Sequence, residues 1–377
     1  MLSYCTNVHP AEDLPGVLDQ LDHFAVPIRE RLGWDRLGLG IWLAAPVAAE
    51  LAAEPASRRR LRAELTARGL AVVTMNAFPY GGFHDDVVKH RVFQPPWSDP
   101  ARLRYTLDCV TVLSELLDEQ AVYGSISTLP LGWREPWTSS RETRCAMALD
   151  ELTRVLRTSE ARAGRPIRLA VEPEPGSKLD NIAAAVDWLT GRVDPRFIGL
   201  CLDTCHLAVS FADPAAEVAR IHAVGLDIVK VQLSAALELP DATDPHGRAA
   251  LAGFSEPRYL HQVRERASDG TVHAIDDLPQ AAAELPGVGT QRVHFHVPLH
   301  AEPTAPLVAT TGVLRAALAA VTAVGPLPHL EVETYTWQVL PEPRGSTRVD
   351  VVAGTAAELD WANRTLDAVL AEERAAV

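Results

Sequence analysis

The sequence predicts an α/β chain folded as a (β/α)₈ barrel, the TIM-barrel architecture, with an insertion after the seventh strand. Three observations carry that prediction. Short apolar runs alternate with longer helix-spaced segments along most of the chain, and such alternation calls for a parallel sheet covered by helices. Several of the runs end on carboxylate, imidazole or amide side chains, and barrels of this kind collect reacting groups at strand ends. The chain has 377 residues, more than the roughly 250 of a typical barrel, and the rhythm breaks in one place, residues 235–306.

Taken in order, Ser3–His9 reads as the first strand, ending on Asn7 and His9, and Pro10–Leu32 as an amphipathic helix with a proline near its start. Leu37–Leu43 is the second strand. Ala45–Arg68, rich in Ala, Leu, Glu and Arg, is a strong helix closed by Gly69. Leu70–Asn76 is the third strand, and the loop from Ala77 to Trp97 is long, aromatic and polar-tipped, with His84 inside it, as binding loops are. Asp99–Leu117 is a helix entered through Ser98-Asp99-Pro100. Gly124–Leu129 is the fourth strand and Arg141–Ala163 the helix after it, stopping at Gly164.

Ile167–Val171 is the fifth strand, running into Glu172-Pro173-Glu174, where the two glutamates share a face because side chains alternate. Leu179–Thr190 is helical. Ile198–Leu202 reads as a buried sixth strand that ends on Asp203 and His206. Ala215–Val224 is a helix, and Ile228–Leu233 is the seventh strand, with Lys230 and Gln232 on one face. Residues 235–306 then break the pattern. Asp244–Gly247 is turn-like, Tyr259–Arg266 and Thr271–Asp277 form a hairpin around Ser268-Asp269-Gly270, and Arg292–Val297 alternates as a short extra strand bearing His294 and His296. This stretch reads as an insertion over the barrel mouth within one domain, 1–377. Thr310–Val324 is a helix, His329–Thr334 the eighth strand with Glu331 and Glu333, and Ala356–Glu373 the closing helix.

Composition excludes some partners. Hydrophobic residues make up 47% and charged residues 22%, ordinary for a globular chain with a large core. The balance of 35 basic against 49 acidic residues, a net charge of −14, argues against a nucleic-acid backbone or an anionic membrane surface as partner. A small anionic substrate held by a local Arg or Lys remains compatible. Five cysteines, Cys5, Cys109, Cys145, Cys201 and Cys205, are an odd number without a disulfide framework and point to a reducing compartment. No leader-like start and no apolar run of spanning length is present, so a cytoplasmic protein without direct membrane insertion is expected.

Strands covered on both faces tolerate charge only when it is paired or bound to metal. Four strand ends carry such groups to one mouth: Glu172 with Glu174, Asp203 with His206, Lys230 with Gln232, and Glu331 with Glu333. Crowded carboxylates repel one another and rise in pKa unless a cation sits between them. Carboxylates with a histidine and an amide oxygen suit one divalent metal, Mn²⁺, Zn²⁺ or Mg²⁺. The plainer alternative is an ion-pair network of the glutamates with Lys230, Arg168 or Arg196, and a capping role for Asp203 with His206 bonded to backbone. Lys230 has a further reading as a Schiff-base lysine, unsupported by other amine chemistry in the chain. His9 and His84 either touch substrate or bond to backbone; His294 and His296 either fold over the mouth or line a solvated strand edge. Cys201 and Cys205 lack the second pair that a zinc site would need.

The segment Cys-Leu-Asp-Thr-Cys-His-Leu-Ala at 201–208 resembles the sixth-strand motif of endonuclease IV, a member of the xylose isomerase-like TIM barrels, which also include sugar phosphate isomerases and epimerases. The resemblance implies metal-ligand positions for Asp203 and His206. Leu-Ala-Val-Glu-Pro-Glu-Pro-Gly at 169–176 resembles the fifth-strand motif and implies Glu172 as the first carboxylate ligand. Val-Glu-Thr at 332–334 resembles the eighth-strand ending and favours Glu333 over Glu331. The epimerases of this group usually have a histidine on strand seven, where this chain has Gln232, so the fourth ligand is Gln232 or a replacement, His296 or His261. The start Tyr-Cys-Thr-Asn-Val-His-Pro, together with Tyr-Leu-His-Gln-Val, His-Phe-His-Val-Pro and the run from His329 to Trp337, is most similar to the TIM-barrel component of the Ebo metabolite-traffic system. That system is associated in bacteria with handling or export of secondary-metabolite precursors, which implies a membrane-bound pathway partner as one option.

The expectation is therefore a metal-dependent isomerase or epimerase of a small polyol, sugar or cyclitol-like metabolite. Glu172 and Glu333 would be catalytic, with Glu172, Asp203, His206, Gln232 and Glu333 holding the metal. His9, His84, Glu174, Lys230, His294, His296 and Glu331 would contact substrate. The alternatives are a metal-dependent hydrolase of a small ester or phosphate and a non-catalytic metabolite carrier.

Overall fold

Eight short runs, almost wholly buried, pair in parallel into a closed barrel in the computed structural model, which describes residues 1–341 and 350–376. The first seven are β1 (Leu2–Cys5), β2 (Leu37–Trp42), β3 (Leu70–Asn76), β4 (Gly124–Thr128), β5 (Ile167–Val171), β6 (Ile198–Asp203) and β7 (Ile228–Leu233). Five strands of the inserted region follow: β8 (Leu237–Leu239), β9 (Val263–Arg266), β10 (Val272–Ile275), β11 (Thr290–Val293) and β12 (Val308–Ala309). The last, β13 (His329–Val332), lies between β1 and β7 and closes the barrel. Every residue of β2, β3, β6 and β7 is buried, as expected where helices cover one face and the barrel interior the other. Gly40 on β2 is required by a close approach. A Cβ there would collide with the Glu331 carboxylate, so the missing side chain makes room for a buried charge.

The differences from the sequence expectations have local causes. Ala45–Arg68 is two helices, Ala45–Ala53 and Pro55–Ala67, because Pro55 lacks an N–H and Glu54 before it is extended. The Pro10–Leu32 helix starts at Leu14 and widens to a π turn over Leu21–Ala25, just ahead of Pro27. The first strand stops at Cys5, and Thr6–Val8 forms a 3₁₀ turn. A six-residue helix, Thr204–Val209, follows β6 directly. The closing helix runs over Val351–Ala376, longer than expected.

The extra sheet is antiparallel, in the order β10-β9-β11-β8-β12. Asp244–Gly247 is the start of a helix, Pro245–Ala252, with the Asp244 carboxylate accepting from His246 N and Gly247 N. The expected strand Arg292–Val297 instead spans Thr290–Val293. Beyond it the chain leaves the ladder: His294 N bonds to Gln262 O at 2.9 Å and Val297 N to Ala235 O at 2.9 Å, so both histidines turn inward and are buried. None of the described helices is long and apolar enough to cross a membrane.

Candidate metal centre

The ends of β5, β6, β7 and β13 come level by register. Asp203 pairs with Gln232, and Gln232 with Glu331, so Glu172 and Glu333 emerge one step past the strands on either side. Glu172, Asp203 and Glu333 are buried and each brings a carboxylate oxygen within 4.8 Å of the others. The two oxygens of Asp203 have different work. Oδ1 accepts from Cys205 N at 2.7 Å, His206 N at 2.9 Å and Ser234 Oγ at 2.8 Å, capping the short helix. Oδ2 has no partner. The capping alternative and the ligand reading are thus compatible, one oxygen for each.

Glu333 is treated in the same way. Its Oε1 accepts from Asn7 Nδ2 and Asn76 Nδ2, both at 2.8 Å. His296 points Nδ1 at the Glu333 backbone oxygen, 2.7 Å away; a carbonyl only accepts, so Nδ1 carries the proton and Nε2 is left as an acceptor. That Nε2 has no partner and lies 4.0 Å from Asp203 Oδ2. Glu172 Oε2 and both amide atoms of Gln232 are also buried without partners. Buried polar atoms without partners are costly, and the oxygens and the imidazole nitrogen among them are a ligand set that suits a divalent cation.

Burial, then Glu333 and Asp203, push the Glu172 carboxyl well above the usual carboxylate range. Burial, then Asp203 and Glu331, push Glu333 up to about 8. Burial also acts to raise Asp203, but His206, His296 and the backbone and Ser234 donors outweigh it and hold its carboxyl low. Burial lowers His296 to about 3, so its imidazole is neutral.

A second group adjoins the first. Glu174, His206 and His294 bring ligand-type atoms within 4.8 Å of one another. His206 Nδ1 donates to Pro173 O at 2.9 Å, and His206 Nε2 stands 3.1 Å from His294 Nε2. Gln262 donates its amide to Glu174 Oε1 at 2.7 Å and so receives His294 Nδ1 on its own oxygen, also at 2.7 Å. Both facing Nε2 atoms are therefore lone-pair bearers, and the Tyr335 hydroxyl, 3.4 Å from His294 Nε2, is a donor within reach of one of them. Burial raises Glu174 to about 7 and lowers His294 to about 4.

The other sequence candidates lie elsewhere. Lys230 and Glu331 are fully buried and pair at 2.8 Å, with Lys230 also donating to Ser127 Oγ at 3.2 Å. The ion-pair alternative thus describes Glu331. Arg168 pairs with Asp227 and Arg196 with Glu160, and Lys230 is taken by Glu331. His9 stacks on Phe24 at 4.0 Å and bonds to the Tyr4 hydroxyl at 3.2 Å, outside the cavity over the carboxylates. His84 bonds through Nε2 to Asn7 O at 2.8 Å and does not line that cavity. His261 engages both nitrogens, Nδ1 with His294 O and Nε2 with Glu256 Oε1, each at 2.8 Å, and has no lone pair to offer.

The cavity over the carboxylates is lined by Glu172, Glu174, His206, His294, His296 and Glu333, with aromatic side chains above them. Asn76, Gln262, Tyr259 and Tyr335 belong to this setting and were not singled out in the sequence. Asn76, as the polar end of the third strand, carried a signal of the same kind as Glu172. The other three lie in irregular segments, where periodicity says nothing.

A family model described as xylose isomerase-like TIM barrel matches residues 30–272. The comparison with curated proteins gives no match. Among solved structures, L-ribulose 3-epimerase aligns with a TM-score of 0.54 at 15% identity, covering 100% of this chain and 97% of that one. D-psicose 3-epimerase from Clostridium cellulolyticum H10, with D-tagatose, gives 0.52 at 13% identity, covering 97% and 99%. D-psicose 3-epimerase in the presence of D-fructose gives 0.51 at 11% identity, again covering 97% and 99%. At these identities the likeness is one of fold.

Proposed function

Because the chain belongs to the xylose isomerase-like TIM barrel family, we propose that it is a divalent-metal-dependent isomerase or epimerase of a small polyol, sugar or cyclitol-like metabolite. One observation carries this reading: Glu172 Oε2, Asp203 Oδ2 and His296 Nε2 are buried without hydrogen-bond partners. In this reading Glu172, Asp203, Glu333 and His296 hold the metal, Mn²⁺, Zn²⁺ or Mg²⁺. Gln232, on the strand position below, is the alternative to His296. His206, whose ligand-type atom clusters with those of Asp203 and His296, stays a candidate ligand, and its Nε2 also faces His294 beside Glu174. Residues 235–306 act as an insertion that supplies His294, His296 and Tyr259 to the mouth of a single domain.

A bound cation would supply Lewis-acid polarisation of a substrate carbonyl. Glu172 and Glu333 do the proton work. Without a cation both carboxyls are raised; a bound cation would bring them back toward the ionised form that takes a proton. One removes the proton from the carbon beside the carbonyl, and the other returns it. Asn7 and Asn76, donating to one oxygen of Glu333, fix the direction of its free oxygen. Solved structures named as 3-epimerases of ketoses share the fold, which supports a proton transfer of this class.

The similarity of the quoted motifs to the Ebo component supports secondary-metabolite precursors as the setting, with a membrane-bound partner in the same pathway. The test is incubation of the Mn²⁺-loaded protein in deuterium oxide with a panel of ketoses, cyclitol ketones and aryl-substituted hydroxy-ketones. Deuterium beside the carbonyl, absent with Glu172→Gln, is the expected result. No incorporation into any member would sink the isomerase reading. Release of a leaving group would then favour a hydrolase, and tight binding without turnover a carrier.

A further inference from the structure

The cavity over the carboxylates has two chemically different ends. Its floor is formed of carboxylates and imidazoles, while its upper wall comes from the loop after β3, the inserted region and the turn after β13. Phe78, Phe83, Val92, Leu260, Tyr259 and Tyr335 form that wall. Phe83, Tyr259 and Tyr335 pack on one another, with ring centroids 5.1 Å, 5.3 Å and 4.8 Å apart. Such a surface receives apolar area and flat rings.

A free sugar needs donors and acceptors around most of its edge, and this wall offers few. The Asn7 and Asn76 amides both donate to Glu333. The Tyr259 hydroxyl is buried and unpartnered, and the Tyr335 hydroxyl lies 3.4 Å from His294 Nε2, so the aromatic wall offers Tyr259 as its unengaged polar handle. A phosphate needs a cation, and the one Lys or Arg among the described residues lining the cavity is Lys89. Lys89 is held by Asp277 Oδ2 at 2.7 Å and Glu256 O at 3.1 Å. With three carboxylates below, a further anion would meet repulsion that even a divalent cation does not fully cancel.

Resting on the metal-dependent reading above, we infer that the substrate is an uncharged hydroxy-carbonyl compound bearing an apolar, ring-sized substituent. Its polar end faces Glu172 and Glu333, and its ring lies on the wall of Phe83, Tyr259 and Tyr335. An acceptor on that ring receives the Tyr259 hydroxyl.

Three probes with the same hydroxy-ketone head test this by calorimetric titration of the Mn²⁺-loaded protein: dihydroxyacetone, dihydroxyacetone phosphate and 2-hydroxyacetophenone. The phenyl probe is expected to bind about tenfold or more tightly than either of the others, and Phe83→Ala to erase the difference. Should Phe83→Ala fail to fold, Leu260→Ser is read in the same way. Equal affinities, or a preference for the phosphate, would overturn the inference. Manganese uptake is measured on the same sample, which separates the two claims. One equivalent bound without a preference for the phenyl probe overturns only the substrate class, whereas no uptake overturns the metal reading and leaves the probe preference to be read on the metal-free wall.

Discussion

His296 donates through Nδ1 to the backbone oxygen of Glu333 across 2.7 Å, which turns its Nε2 toward the carboxylates as a fixed, unprotonated acceptor. The hydrogen bond does for this imidazole what a neighbouring carboxylate or carbonyl does for metal-bound histidines generally: it sets tautomer and ring direction together. His296 comes from the inserted region, and in the proposed reading it stands in for a strand-seven ligand, where this chain has Gln232.

His296→Ala is therefore expected to weaken Mn²⁺ or Zn²⁺ binding by at least about 100-fold, measured by competition with a chelating dye. Gln232→Ala should have a smaller effect. The reverse order would make Gln232 the fourth ligand.

The metal-free protein should lose stability as pH rises. Glu333 is raised to about 8 in the fold, above its unfolded value of about 4.3, and Glu172 is raised as well. The native state thus holds protons that the unfolded chain has released. This contribution to stability is complete below about pH 4.3 and is lost as pH rises through about 8. Melting temperature should fall over this range, less so in Glu333→Gln. Metal replaces the protons, so its affinity should rise with pH and the loaded protein should show a flatter profile.

Lys230 and Glu331 make a buried pair separate from the ligands. Lys230→Met alone strands a buried carboxylate and should cost about 3–5 kcal/mol, whereas Lys230→Met with Glu331→Leu should recover much of that. Urea denaturation measures both. The folded double variant should still take up one equivalent of metal, and borohydride with a ketone should trap no adduct on the fully buried Lys230.

Glu358, on the closing helix, accepts from Leu299 N at 3.0 Å, Thr334 Oγ1 at 2.6 Å and Trp337 Nε1 at 3.0 Å. It ties that helix to the inserted region and to the turn just after Glu333. Glu358→Ala leaves three buried donors unpaired and should cost about 3 kcal/mol or more, with a matching fall in melting temperature.

The barrel was legible because strands covered on both faces read as apolar runs, and Ile167–Val171, Leu70–Asn76 and Ile228–Leu233 have the expected bounds. Glu172, Asp203 and Glu333 could be singled out because charge at the end of such a run needs a partner. The placement of His294 and His296 was not legible. Alternation in Arg292–Val297 suggested a regular strand, but backbone bonds to Gln262 and Ala235 pull the segment off the sheet, and those partners lie far away in sequence. Lys230 and Glu331 looked like site residues for the converse reason: a pair in the barrel interior has the same sequence signature as two groups at its mouth. Only register and burial tell them apart.

The most direct test is the metal content of the protein as purified and after dialysis against Mn²⁺ or Zn²⁺, beside the Glu172→Ala, Glu333→Ala double variant. One tightly held equivalent in the native chain, absent from the folded variant, is the predicted result. A native chain that refuses both ions, or a variant that binds them as well, would contradict the metal centre and the proton chemistry built on it.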